Sequence, residues 1–238
     1  VSIRRVVDLL NAEEEEEEGT EFPETVQSIV FENVTFGYNA DTPVLRNLNL
    51  RVDKGVRTVI VGRSGIGKST LFNLLLRFYD VDEGRIIING TDIREFSISS
   101  LRRGIGIIFQ QPYLLADTIR FNIEQDGSQH TDEELYQVLH LVQMEKFIRS
   151  LPQGLDTPVG MANSQLSVGQ MQRIVFARIL SKKPAVFLLD EATASLDTES
   201  EDIIKDTINH IVKDHVVLSV SHRLSYINNS DQVVMIHD

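Results

Sequence analysis

Gly62-Arg63-Ser64-Gly65-Ile66-Gly67-Lys68-Ser69-Thr70 concentrates glycines, a lysine and hydroxyls in one short stretch. Glycines let several backbone N–H groups turn inward around phosphate oxygens, and a helix starting near Lys68 adds unpaired N–H groups and the positive end of its dipole. Lys68 is placed to reach β and γ phosphates, and the Ser69 hydroxyl to complete a Mg2+ shell whose other ligands include phosphate oxygens. The setting agrees: Thr58 to Val61 reads as a buried strand before the loop, and Leu71, Leu74, Leu75 and Phe78 recur at helical spacing after it. A strand, a glycine-rich loop and a helix form the context that a phosphate-binding loop requires. A tight turn that uses glycine only for geometry explains neither the Lys68-Ser69 pair nor that setting.

Further residues could do chemistry beside this loop. Ala185 to Leu189 is an apolar strand that delivers Asp190 and Glu191 at its end, where an aspartate holds Mg2+ and a glutamate orients or deprotonates water. Val216 to Val220 delivers Ser221 and His222, and His222 either bonds a γ phosphate or caps the strand end. Ile105 to Phe109 ends in Gln110-Gln111-Pro112, so Gln110 either approaches the metal and γ phosphate or lies in a surface loop. Leu166-Ser167-Val168-Gly169-Gln170 introduces a helix, and its serine and glycine either bind phosphate or serve as an ordinary cap. Tyr38 follows a turn upstream of the phosphate loop, where its ring either stacks on a purine or is a partly buried turn tyrosine.

The chain must supply elements that hold these residues together. Its 238 residues, 42% hydrophobic, support one sizeable core or a core with a smaller attached lobe. A formal net charge of -12 argues against sequence-independent binding of a nucleic-acid backbone. No cysteine is present, so disulfides and cysteine-ligated zinc are excluded. No apolar run approaches membrane-spanning length.

Val1 to Leu10 reads as a short amphipathic helix, followed by an unbroken glutamate run, Glu13 to Glu18, that favours a solvated tether. This is the expected look of a domain severed from an upstream partner. Ile29 to Phe36 and Val44 to Val52 alternate as antiparallel strands, and Asn89-Gly90 marks a hairpin turn. Between Gln111 and Lys183 strand signals largely disappear. Thr131 and Glu134 make a capping box ahead of an apolar stripe of Leu135, Val138, Leu139 and Val142, while Pro158-Val159-Gly160 reads as a break.

Taken as a set, GRSGIGKST, FQQ, LSVGQ, VFLLDE, ASLD and SHR, in this order and spacing, resemble the nucleotide-binding domain of an exporter-type ATP-binding cassette (ABC) transporter. The resemblance runs from about Ile29 to Asp238, and LPQGLDTPVG, Leu151 to Gly160, resembles the segment that precedes the signature in exporter cassettes. It implies an α/β fold: a P-loop NTPase with an ABC-type RecA-like core, an antiparallel β subdomain and an inserted helical subdomain at about 111–183. Residues 1–28 would then be a connector from an upstream membrane domain plus an acidic linker, residues 29–238 the cassette, and the chain truncated at its carboxyl end.

The resemblance also assigns roles. ATP and Mg2+ would be bound by the whole loop Gly62, Arg63, Ser64, Gly65, Ile66, Gly67, Lys68, Ser69 and Thr70. Tyr38 would stack on adenine, Ser69, Gln110 and Asp190 would serve the metal, Glu191 would be the catalytic base and His222 the switch histidine. Ser167, Gly169 and Gln170 would face ATP held by a second cassette, identical or paralogous, in a head-to-tail dimer with Asp197 near the junction. The implied activity is ATP hydrolysis that powers export through transmembrane domains, on the cytosolic side of an unspecified membrane and without nucleic acid. Val168 stands where a glycine is usual, Met161 and Asn163 replace the usual glutamate and glycine, and Pro158 replaces a frequently charged residue. A degenerate regulatory cassette is therefore the competing reading. A chromosome-structure ATPase is disfavoured, because only about a hundred residues and no heptad repeat separate loop from signature.

Overall fold

The computed structural model describes residues 17–39, 41–63, 65–124, 130–160, 166–193, 196–221, 227–228 and 230–236. His222, Ser64, Met161, Asn163 and residues 1–16 lie outside them. Two sheets organise the chain. Strands β1 (Ser28–Phe36) and β2 (Leu45–Asp53) alternate buried and open positions, as strands with one wet face do. By contrast β3 (Arg57–Val61) is buried along its whole length and leads into helix α1 (Lys68–Leu75).

The chain then returns through β4 (Glu83–Ile88) and β5 (Thr91–Asp92), which close the antiparallel sheet in the order β2-β1-β4-β5. Asn89 at φ 51° and Gly90 at φ 89° form the expected tight turn between them. Phe78, expected on the apolar face of α1, lies beyond it. Leu76 caps that helix and Arg77 takes φ 48°, which ends the helical path and leaves Phe78 exposed beneath the Arg102 guanidinium, 4.8 Å from its ring centre.

Helix α2 (Ile98–Gly104) feeds β6 (Ile105–Ile108). The expected helical insert follows, containing α3 (Ile119–Glu124), α4 (Asp132–Leu141) and α5 (Glu145–Ser150). The Thr131–Glu134 capping box is present on both sides at the start of α4. The insert also holds a short antiparallel pair, β7 (Asp117–Thr118) with β8 (Pro158–Val159). Pro158 and Val159 are thus strand residues instead of a break. Proline fits there because a two-residue edge strand asks few ladder donors of it.

Helix α6 (Val168–Ser181), β9 (Val186–Asp190), α7 (Thr198–Val212), β10 (Val216–Val220) and β11 (Gln232–Met235) complete the chain. The parallel sheet has the order β11-β3-β10-β9-β6. Alternate residues of β9 divide between two cores. Val186 and Leu188 join the core that holds α1 and the antiparallel sheet. Phe187 and Leu189 join the core that holds α4, α6 and α7. Since successive strand residues point to opposite faces, α1 and α6 pack on opposite faces of the parallel sheet.

From Glu17 onward the amino-terminal segment runs against the body. Thr20 N–H donates to Glu95 O at 2.8 Å, Ser97 N–H donates to Thr20 O at 2.9 Å, and the Phe22 ring meets Phe96 edge-on at 5.3 Å. Among the described residues no helix is long and apolar enough to cross a membrane.

Candidate functional site

The register of the parallel sheet brings the candidate residues to one edge. Val220 stands opposite Ile60 in β3 and Asp190 in β9, and Leu189 stands opposite Ile108 in β6. One or two residues further along these strands come Gly62, Ser221, Glu191 and Gln110. They lie at the carboxyl ends of parallel strands, where open α/β sheets bind ligands.

At the loop itself, Gly67 is the N-cap of α1 with φ 106° and offers no side-chain acceptor to the helix. A Cβ on Gly67 would come within 2.7 Å of Val44 Cγ1, so both conformation and space require glycine. The first N–H groups of α1 thus meet no capping side chain, the arrangement that suits an anion. Lys68 Nζ donates to Gly62 O at 2.9 Å and Arg63 O at 2.7 Å. An ammonium has three donors, and the loop carbonyls take two of them while folding the charge back over the loop.

Ser69 and Asp190, read from distant parts of the sequence, meet directly. Burial pushes the Asp190 carboxyl above its ordinary range, the Glu191 carboxylate adds to the rise, and a hydrogen bond from Ser69 and the Lys68 charge oppose it. Among the described residues no group of three or more His, Cys, Asp or Glu side chains could cage a metal. A serine hydroxyl touching a carboxyl nevertheless suits Mg2+, which commonly uses one or two carboxylates with phosphate oxygens and water.

Glu191 has φ 48°, in the left-handed region, and its N–H donates to Val220 O at 3.0 Å. A non-glycine residue in that conformation, which Glu191 shares with Arg77 and Lys183, costs on the order of 1–2 kcal/mol. Ser221 N–H in turn donates to Ile60 O at 3.2 Å, which fixes the strand end that leads to His222. Gln110 is exposed beyond β6, and Gln172 Nε2 donates to the preceding carbonyl, Phe109 O, at 3.5 Å.

The Ser167–Gln170 stretch forms a complete capping box on α6. Gln170 N–H donates to Ser167 Oγ at 3.2 Å, and Ser167 N–H donates to Gln170 Oε1 at 2.9 Å. Val168 is the first helical residue and is absent from the described non-glycine residues with positive φ, so valine's branched side chain meets no left-handed requirement there. Gly169 is needed for a different reason: its Cβ would lie 2.1 Å from Ser200 Oγ and 2.7 Å from Ser200 Cβ. Asp197, the N-cap of α7, accepts from Ser200 N–H at 3.0 Å, and that bond holds its carboxyl below the usual range.

Sequence reading missed the surroundings of Tyr38. Its hydroxyl shares a hydrogen bond with Thr70 Oγ1 at 3.2 Å and accepts from Asn73 Nδ2 at 3.0 Å. Its ring makes T-shaped contacts with Phe36 and with Tyr79, each at 5.1 Å between centres. Asn73 carried one signal: it is a polar residue within the apolar run Leu71 to Leu76, three positions after Thr70 and hence on the same helical face.

A phosphate loop, an Asp-Glu pair at the adjoining strand end and a helical insert on the opposite sheet face define a nucleotide-binding cassette. Residues 45–194 match the family model described as ABC transporter, and the chain belongs to that family. Over 231 residues it is 42% identical to the ATP-dependent lipid A-core flippase of Syntrophus aciditrophicus (strain SB), covering 97% of this chain and 38% of that protein. Over 211 residues it is 44% identical to a putative multidrug export ATP-binding/permease protein of Staphylococcus aureus (strain NCTC 8325 / PS 47), covering 88% of this chain and 36% of that protein. Among solved structures, a bacterial Atm1-family ABC exporter with ATP bound superposes with a TM-score of 0.86 at 38% identity, covering 99% of this chain and 42% of that one. The chain thus spans about two fifths of the length of these relatives.

Proposed function

We propose that this cassette binds ATP with Mg2+ and hydrolyses it to drive export through membrane domains, a reading supported by relatives named as an ATP-dependent flippase and an export ATP-binding/permease protein. The observation that carries this reading is the meeting of Ser69 with Asp190 beside a backbone-strained Glu191 at the carboxyl edge of the sheet. In this assignment the loop from Gly62 to Thr70 cradles the phosphates, and Lys68 leaves the loop carbonyls to reach the β and γ phosphates. Ser69 and Asp190 would hold Mg2+, with Gln110 near them beyond the end of β6, and the ion would supply positive charge against the phosphate charge. Glu191 takes a proton from the attacking water as its oxygen bonds to the γ phosphorus. The bond from that phosphorus to the bridging oxygen breaks, and ADP leaves. His222 belongs to the same assignment through its place after Ser221.

The opposite-face packing of α1 and α6 supports a composite site. With the two helix N-termini on different faces of one sheet, Ser167, Gly169 and Gln170 would serve the loop of a second cassette, itself identical or paralogous. In that arrangement ATP sits between a loop from one cassette and a signature from the other, with both cassettes on the cytosolic side of the membrane.

The test is Glu191→Gln in the full-length protein. ATP binding is expected to persist while steady-state hydrolysis falls by roughly 10²–10⁴-fold, the range for losing a positioned base. Hydrolysis near the wild-type rate would remove Glu191 from the assigned role.

A further inference from the structure

Tyr38 is bonded to the very helix that begins at the phosphate loop. Its hydroxyl accepts from Asn73 Nδ2 and shares a hydrogen bond with the hydroxyl of buried Thr70, the residue after Ser69. Phe36 and Tyr79 close on the ring at interplanar angles of 83° and 87°, and contact each other at 5.6 Å. These contacts occupy the hydroxyl and fix the ring, yet Tyr38 remains 47% exposed. A fixed aromatic ring with nearly half of its residue surface exposed is suited to stacking on a flat partner.

We infer that Asn73 and Thr70 are positioning residues that lock Tyr38 as a preformed stacking platform for the base of a purine nucleoside triphosphate. The inference rests on the proposed reading of Tyr38 as the base-stacking residue and deepens it. The platform and the phosphate cradle become one rigid piece, since both are attached to the first two turns of α1. A tyrosine without the anchor would have to be ordered when the base arrives. Ordering one side chain corresponds to roughly two- to tenfold in Kd.

The discriminating ligand is tripolyphosphate, which offers the phosphates of ATP without the base. In the full-length protein, Kd for Mg2+-ATP and for Mg2+-tripolyphosphate would be measured by calorimetry for Tyr38→Ala, Tyr38→Phe, Asn73→Ala and the double variant Y38F/N73A. The expected result is that N73A and Y38F each weaken ATP two- to tenfold while tripolyphosphate affinity stays within twofold of wild type. The double variant should be little worse than either single one, because both remove the same anchor. If N73A leaves ATP affinity unchanged, or weakens both ligands equally, the anchor is refuted, and in the second case Asn73 serves α1 as a whole. If Y38A itself leaves ATP affinity unchanged, the stacking role fails and the anchor falls with it. A loss in Y38A beside an inert N73A overturns the anchor alone.

Discussion

Gly169→Ala is the sharpest perturbation the structure offers, because it separates packing from phosphate contact at the signature. The new Cβ would stand 2.1 Å from Ser200 Oγ, 2.7 Å from Ser200 Cβ and 3.2 Å from Asp197 Oδ2. Rotating the Ser200 hydroxyl relieves only the first contact. The Cβ of Ser200 is fixed by the backbone of α7, whose first turn is tied by the Ser200 N–H to Asp197, and Ser200 is only 4% exposed. Overpacking of this kind costs about 1–3 kcal/mol, and the upper half applies where a backbone-fixed atom is struck. Replacing glycine by alanine in a helix returns about 1 kcal/mol. The net expectation is a loss of about 1–2 kcal/mol in urea denaturation at unchanged m.

Ser200→Gly removes both struck atoms, so the double variant should recover at least about 1 kcal/mol relative to the sum of the singles. Val168→Gly provides the contrast at the neighbouring position. Val168 is helical and 43% exposed, so this change should shift stability by no more than about 0.5 kcal/mol. A Gly169→Ala loss below about 0.5 kcal/mol, or a loss that Ser200→Gly does not relieve, would refute the packing argument and return Gly169 to a role in ligand approach alone.

Two further expectations concern buried charge. Because burial and Glu191 raise the Asp190 carboxyl, the folded state takes up its proton before the unfolded chain does, and ionised Asp190 lowers stability at neutral pH. Asp190→Asn should therefore raise Tm at pH 7 without nucleotide or Mg2+, with the gain fading as pH falls through the raised folded-state range and gone below about pH 4, the unfolded aspartate range; a Tm at or below wild type at pH 7 would contradict it. Arg178 donates from a buried guanidinium to Asn122 O at 2.7 Å, Asn122 Oδ1 at 2.9 Å and Tyr113 O at 3.0 Å, tying α6 to α3. Arg178→Ala should cost about 2–3 kcal/mol by chemical denaturation, since it removes charged donors that tie α6 to α3 while Asn122 Oδ1 keeps only the Leu115 N–H; a cost under about 1 kcal/mol would show that the insert is held by its apolar core alone.

What the sequence determined by itself is whatever a few consecutive residues decide. Thr58 to Val61 and Val186 to Leu189 are legible as strands because burial on both faces needs an unbroken apolar run. The Thr131–Glu134 box and the Asn89-Gly90 turn are legible because their bonds and backbone angles close within four residues. The phosphate loop is legible for the same reason, since its strand, glycines and helix are contiguous.

The tertiary structure alone decided which distant residues share space. Pro158 reads locally as a break and becomes a strand because Thr118 lies opposite it. Val168 looks like a defect beside a signature glycine until the helix is seen to begin there. Gly169 looks like a phosphate-approach glycine until Ser200 fills the place of its Cβ, and Tyr38 looks like a ring in a turn until Asn73 and Thr70 take its hydroxyl. Pairings across tens of residues depend on how two sheets and an inserted lobe close over two cores, and no window of neighbouring residues contains that information.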